Sequence, residues 1–154
     1  MNQTLARFHI EGAAKFTETI LALTPFFKSL RPALRSLSST GAEVVMPTPT
    51  EVGAKDPQHH TADDAALGGL ALLTGGLALD AGAPPSARWA LRGYAVQCAV
   101  QGRMHSEVHA LADASTVDWK TAGDYEVEVQ LLAVGRELVS TVRLMINVET
   151  SSPA

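Results

Sequence analysis

The stretch Thr61 to Asp80, TADDAALGGLALLTGGLALD, constrains this chain more than any other. Its charges sit only at the two ends, and it carries glycines at 68, 69, 75 and 76. A helix that is apolar all round has no solvent face and must be covered by protein on every side. The run from Ala65 to Leu79 falls short of the roughly 20 apolar residues that a bilayer span requires. Strand patterns follow it to the end of the chain. The expected arrangement is therefore one buried helix against a long antiparallel sheet, with a second subunit covering what the sheet leaves open. The glycines let helix and sheet approach closely, and the paired Gly75 and Gly76 are expected to sit in the tight contact, so that Gly76→Leu should destabilise strongly.

Upstream, the apolar residues between Gln3 and about Arg35 recur mostly at helical spacing, with breaks at Gly12 and Pro25. Two or three short helices are expected there. A polar SLSSTGAE segment leads into a short strand, Glu43 to Met46, stopped by Pro47 and Pro49. Thr48 to His60, TPTEVGAKDPQHH, has the composition of a long loop, and loops of that length are often functional. After the central helix DAGAPPSA makes a turn, and alternation marks strands at Trp89 to Gly102, Glu107 to Ser115 and Tyr125 to Val134. In the first of these, Ala90, Arg92, Tyr94, Val96 and Cys98 fall on one face. The VGRE connection around Gly135 reads as a hairpin turn into a last strand, Leu138 to Val148, and the ETSSPA tail is expected to be loose.

The bulk numbers narrow the class. A chain of 154 residues with 46% hydrophobic content suffices for one domain, expected over residues 1–150, with one sizeable core. A net charge of -4 without a Lys/Arg cluster disfavours nucleic acid or an anionic membrane as the main partner, leaving a small ligand or another protein. The N-terminal residues show no secretory signal pattern, so a cytoplasmic location is the default expectation. The single cysteine, Cys98, excludes an internal disulfide framework and reads as a small buried hydrophobe within a strand.

The order of helical N-terminus, strand, long loop, apolar glycine-rich helix and antiparallel strands resembles the hotdog fold, an α+β architecture. Leu70-Ala71-Leu72-Leu73-Thr74-Gly75-Gly76 is similar to a phrase such as L-A-E-L-A-G-G found in acyl-CoA thioesterases of the phenylacetate-degradation type and an uncharacterised relative family. The resemblance covers about Glu43 to Val148. It implies a homodimer or dimer of dimers acting on an acyl-CoA thioester, with no resident cofactor. Counting back through the motif sets Asp63 where those families have His, and Leu72 where they have the helix carboxylate that serves as nucleophile or general base. Leu72 can do neither. A non-catalytic acyl-binding or scaffold protein is thus the rival of a hydrolase.

Chemistry must rest on what is present. His59, His60, Asp63 and Asp64 form the densest cluster of titratable groups, where the long loop enters the helix. Free N–H groups at a helix start could polarise an acyl carbonyl while Asp63 or Asp64 positions water and His60 assists, with His59 and Thr61 lining the site. The plain alternative is a cap, with Thr61 at the N-cap and Asp64 three residues on. A metal is not expected, because adjacent histidines diverge and no well-spaced third follows. His105 and His109 read as ordinary solvent-facing strand histidines. No Ser lies in a G-x-S-x-G turn, so no serine triad is assigned. Arg92 and Arg103, flanking the strand after the helix, are the candidates for the phosphates that the resemblance implies along a subunit interface.

Overall fold

The computed structural model describes residues 2–47, 59–98 and 107–151; the side chains of residues 59–64 and of Cys98 lie outside that description. Its elements run α1 (Gln3–Leu23), α2 (Pro25–Lys28), β1 (Ala33–Leu37), β2 (Gly41–Pro47), α3 (His59–Gly82), β3 (Ala87–Cys98), β4 (Glu107–Asp113), β5 (Gly123–Ala133) and β6 (Leu138–Thr150). The strands form one antiparallel sheet in the order β1-β2-β4-β5-β6-β3. This is the hotdog arrangement, an α+β fold with a sheet wrapped on one long apolar helix.

Alternation along the strands decides what α3 meets. Val44 and Met46 on β2, Val108, Ala110 and Ala112 on β4, Val127, Val129 and Leu131 on β5, and Val142, Leu144, Ile146 and Val148 on β6 are all buried in one core with Leu70, Ala71, Ala78 and Leu79 of the helix. The alanines of β4 are the small residues under which a helix fits closely. By length and composition Ala65–Gly82 could cross a bilayer, yet 67% of it is buried within the fold, as befits a core helix.

Close approach is confined to particular glycines. A Cβ on Gly75 would stand 2.2 Å from Leu144 Cδ1 and 3.3 Å from Val129 Cγ2, so this residue presses onto the sheet. Gly76, one residue on and about 100° round the helix, would meet only Trp89 Cη2 at 3.9 Å. Of the pair expected in the tight contact, Gly75 makes it, and the expectation for Gly76 is corrected: it lies in open contact with Trp89. Gly69 packs on the side chains of Phe26 from α2 and of Leu30 just beyond it, and a Cβ at Gly68 would meet nothing within 4 Å.

The N-terminal segment covers the side of α3 turned away from the sheet. Asn2 caps α1, its Oδ1 accepting from the N–H of Thr4 at 2.7 Å, while its Nδ2 donates to the carbonyls of Asp80 and Ala83 at the far end of α3. The break expected at Gly12 is present: φ 77° and ψ 163° are not helical, and a left-handed φ there favours glycine. Phe16 is buried among Leu34, Val44, Leu73 and Leu77.

Helix was expected up to about Arg35, but β1 occupies Ala33–Leu37, which corrects that boundary. Pro32 and the left-handed Arg31 (φ 49°) end the helical stretch. Leu34 and Leu37, spaced as in a helix, both face the core because the register with β2 slips between Leu34 and Ser36. Arg35 is the extra residue of a bulge, and it turns a spacing of three into one face of a strand. The turn at Gly135 (φ 87°) and Arg136 (φ 63°) joins β5 to β6 as expected.

Candidate functional site

The sheet ends at β3 on one side, and α3 packs over β1, β2, β4, β5 and β6 while leaving that strand nearly uncovered. Trp89, Leu91, Tyr94 and Val96 pair with Val148, Ile146, Leu144 and Val142, all of which face the helix. They therefore lie on the helix side of the sheet. Leu91, Tyr94 and Val96 are nevertheless exposed, at 43%, 50% and 45%. The result is an apolar shelf beside α3 on a strand edge that pairs with no further strand among the described residues.

The face assignment depends on a second bulge. Pairing passes from Leu91 opposite Ile146 to Gly93 opposite Met145, so Arg92 is an extra residue. The expected single face containing Ala90, Arg92, Tyr94 and Val96 is corrected: Leu91, not Ala90, shares the face of Tyr94.

One end of the shelf is closed. Trp89 lies against Gly76, and its indole N–H donates to Asp80 Oδ1 at 2.9 Å. Asp80 is exposed as a residue at the helix end, yet partial desolvation raises its carboxyl above the ordinary value, and the indole bond pulls the other way. A raised folded-state pKa means that ionised Asp80 is disfavoured by folding. The penalty is present above that raised value and is relieved as pH falls through it towards the unfolded value. Asp80→Asn keeps an acceptor for the indole and removes the charge. Its melting temperature at pH 7 should equal or exceed the parent's, and that advantage should vanish near pH 3; a lower melting temperature at pH 7 would show that the charge itself is needed.

The sequence-derived candidates fall into three groups. His59, His60, Thr61, Asp63 and Asp64 lie in the first two turns of α3, which begins at His59. Thr61 is thus inside the helix and not at its N-cap, and both carboxylates come after the first turn; the contacts of all five side chains lie outside the described residues. Arg92 is exposed at the β3 bulge. Arg103, His105 and the segment 48–58 lie outside the described residues. Leu72, at the position of the family carboxylate, is partly buried and packs against the core.

The sheet's other face carries a different cluster. His109 is half-buried there, its Nδ1 3.1 Å from Glu43 Oε1 and its Nε2 3.2 Å from Glu107 Oε2. The contact with Glu43 ties β2 to β4 on the face away from α3, and the one with Glu107 stays within β4. Among the described residues no group of three His, Cys, Asp or Glu side chains converges as metal ligands. Sequence reasoning did not foresee the Trp89–Asp80 pair or the shelf. The large apolar residues Trp89, Leu91, Tyr94 and Val96 of β3 were the available signal, and the bulge hid which of them share a face.

Comparisons with known proteins place the chain among hotdog proteins. The structural-genomics protein APC5556 has a TM-score of 0.78 at 27% identity, with 97% of each chain covered. A thioesterase family protein from Silicibacter pomeroyi follows at a TM-score of 0.64 and 11% identity, covering 87% of this chain and 96% of that one. The thioesterase HI1161 from Haemophilus influenzae has a TM-score of 0.56 at 15% identity, covering 80% of this chain and 81% of the other. At such identities the last two likenesses establish the fold alone. No curated protein matches the chain. The family described as Domain of unknown function (DUF4442) matches residues 12–148, nearly the whole of the described fold, and the chain belongs to that family.

Proposed function

We propose that this protein hydrolyses an acyl-CoA-like thioester in a site between α3 and β3 that a second copy of the chain completes. The observation carrying this reading is the exposed apolar shelf of Leu91, Tyr94 and Val96 beside the helix. Structural likeness to thioesterases supports it. In the proposed reaction Asp63 or Asp64, assisted by His60, takes a proton from water as its oxygen attacks the thioester carbonyl carbon. N–H groups at the start of α3 stabilise the resulting oxyanion. Collapse breaks the C–S bond, and the leaving thiolate takes up the proton, giving a carboxylic acid and free CoA. His59 and Thr61 line the site, and Arg92 with Arg103 serves the CoA phosphates.

An exposed strand edge with an apolar face is a template for pairing, and β3 offers 12 residues of it. A homodimer joined there, alone or as a dimer of dimers, would cover the shelf. Sedimentation at micromolar concentration should accordingly show no stable monomer. A folded monomer with α3 protected from hydrogen exchange would refute this.

The rival reading is a non-catalytic acyl-ligand-binding or scaffold protein, and Leu72 packed at the family's carboxylate position favours it. A thiol-release assay across short, long and aromatic acyl-CoAs separates the two. Release with at least one substrate supports hydrolysis; binding without release supports the rival.

A further inference from the structure

Resting on the thioester reading, we infer that Trp89 and Gly76 form the blind end of an acyl-chain trough and so set the chain length the site accepts. Ala65, Leu72 and Gly76 recur at spacings of seven and four, so they share one side of α3. Gly76 identifies that side as the one facing β3, because its neighbour is the Trp89 ring. The turn at Pro84–Ser86 sends β3 back along α3. A strand rises about 3.3 Å per residue and a helix about 1.5 Å, which brings Tyr94 roughly level with Gly68. The trough thus has Ala65 and Leu72 on one wall and Leu91, Tyr94 and Val96 on the other. Room remains beside Gly68, where a Cβ would meet nothing within 4 Å.

None of these lining residues is charged; the exposed cations of β3, Arg88 and Arg92, lie outside the lining and towards the closed end. An uncharged linear tail complements that lining. From position 64 to Gly76 the helix rises about 18 Å. A tail entering near the start of α3 would run along this length and stop at the indole. Trp89 is a fixed stop, because its N–H is held by Asp80 at 2.9 Å. Gly76 leaves the last volume before the stop unfilled.

The test uses the intact protein and non-hydrolysable thioether analogues of acyl-CoA with tails of increasing length, with binding followed by calorimetry. Each methylene that the trough buries should tighten Kd about fourfold, until the tail reaches the end and the gain ceases. Gly76→Leu should move that break to shorter tails, and Trp89→Ala should move it to longer ones. Gly76→Ala is the milder second variant, since the 3.9 Å to Trp89 admits a methyl group, and it should shift the break in the same direction as leucine. Parent-like breaks in all three variants would overturn the assignment of Trp89 and Gly76 while leaving the thioester reading intact. A parent that binds none of the analogues would remove the thioester reading and this inference together.

Discussion

Asp64→Asn is expected to lose about 10²–10⁴ in thioester turnover while remaining folded. Position 64 precedes Gly68 by four residues and Gly75 by eleven, so helical periodicity sets it on the stripe that faces the sheet. One turn further along that stripe lies the open space at Gly68, where a substrate carbonyl and a water could stand. Asp63 is about 100° round the helix from it. Asparagine preserves shape and hydrogen-bonding capacity but accepts no proton from water. Stability should change by no more than about 0.5 kcal/mol, the scale of a substitution away from caps and core. Asp63→Asn is the paired control, and it should act more mildly. Equal turnover in both variants and the parent would mean that neither carboxylate is the base, leaving the acyl-binding reading as the better account.

Gly75→Leu should destabilise the fold by about 2 kcal/mol or more, whereas Gly76→Ala should stabilise it by up to about 1 kcal/mol. Two effects compete at each position. Replacing a helical glycine gains up to about 1 kcal/mol from backbone propensity. At Gly75 that gain meets a clash, because the first added carbon would lie 2.2 Å from a methyl of Leu144, itself only 1% exposed and unable to swing into solvent. Overpacking of that kind costs about 1–3 kcal/mol, and the three further carbons of leucine aggravate it. At Gly76 the nearest atom is at 3.9 Å and propensity prevails. Urea midpoints at unchanged slope would measure both. Equal midpoints for Gly75→Leu and the parent would show that helix and sheet are not in contact there.

The architecture was legible where one periodicity held over a whole element. The all-round apolar helix, the alternating β4, β5 and β6, and the break at Gly12 all stand within a few residues of expectation. Legibility failed at the two bulges. Leu34 and Leu37, and likewise Leu91 and Tyr94, are three apart, which resembles helical spacing or opposite strand faces until an extra residue intervenes. The bulge in β1 has no single-residue signature, whereas Gly93, a glycine inside a strand pattern, was a signal for the one in β3. Which glycine touches the sheet was also hidden, since neighbouring helix positions differ by about 100° and four glycines fit several rotations of the helix. The candidate site was legible as a composition, two histidines and two aspartates at a helix start. Residues 48–58 and 99–106, which flank it in the sequence and carry Arg103 and His105, lie outside the described residues.

The bulge at Arg92 has a consequence for how this chain tolerates changes in length. Away from the bulge, removing or adding one residue ahead of Tyr94 would put the two sides of the strand out of register and exchange faces. At Arg92 the ladder already carries a surplus residue, with Leu91 and Gly93 opposite the adjacent residues Ile146 and Met145. Deleting Arg92 would give an uninterrupted strand with every other partner unchanged. In descendants of this sequence, single-residue deletions in β3 should therefore be found at the bulge, where they leave the apolar shelf facing the helix.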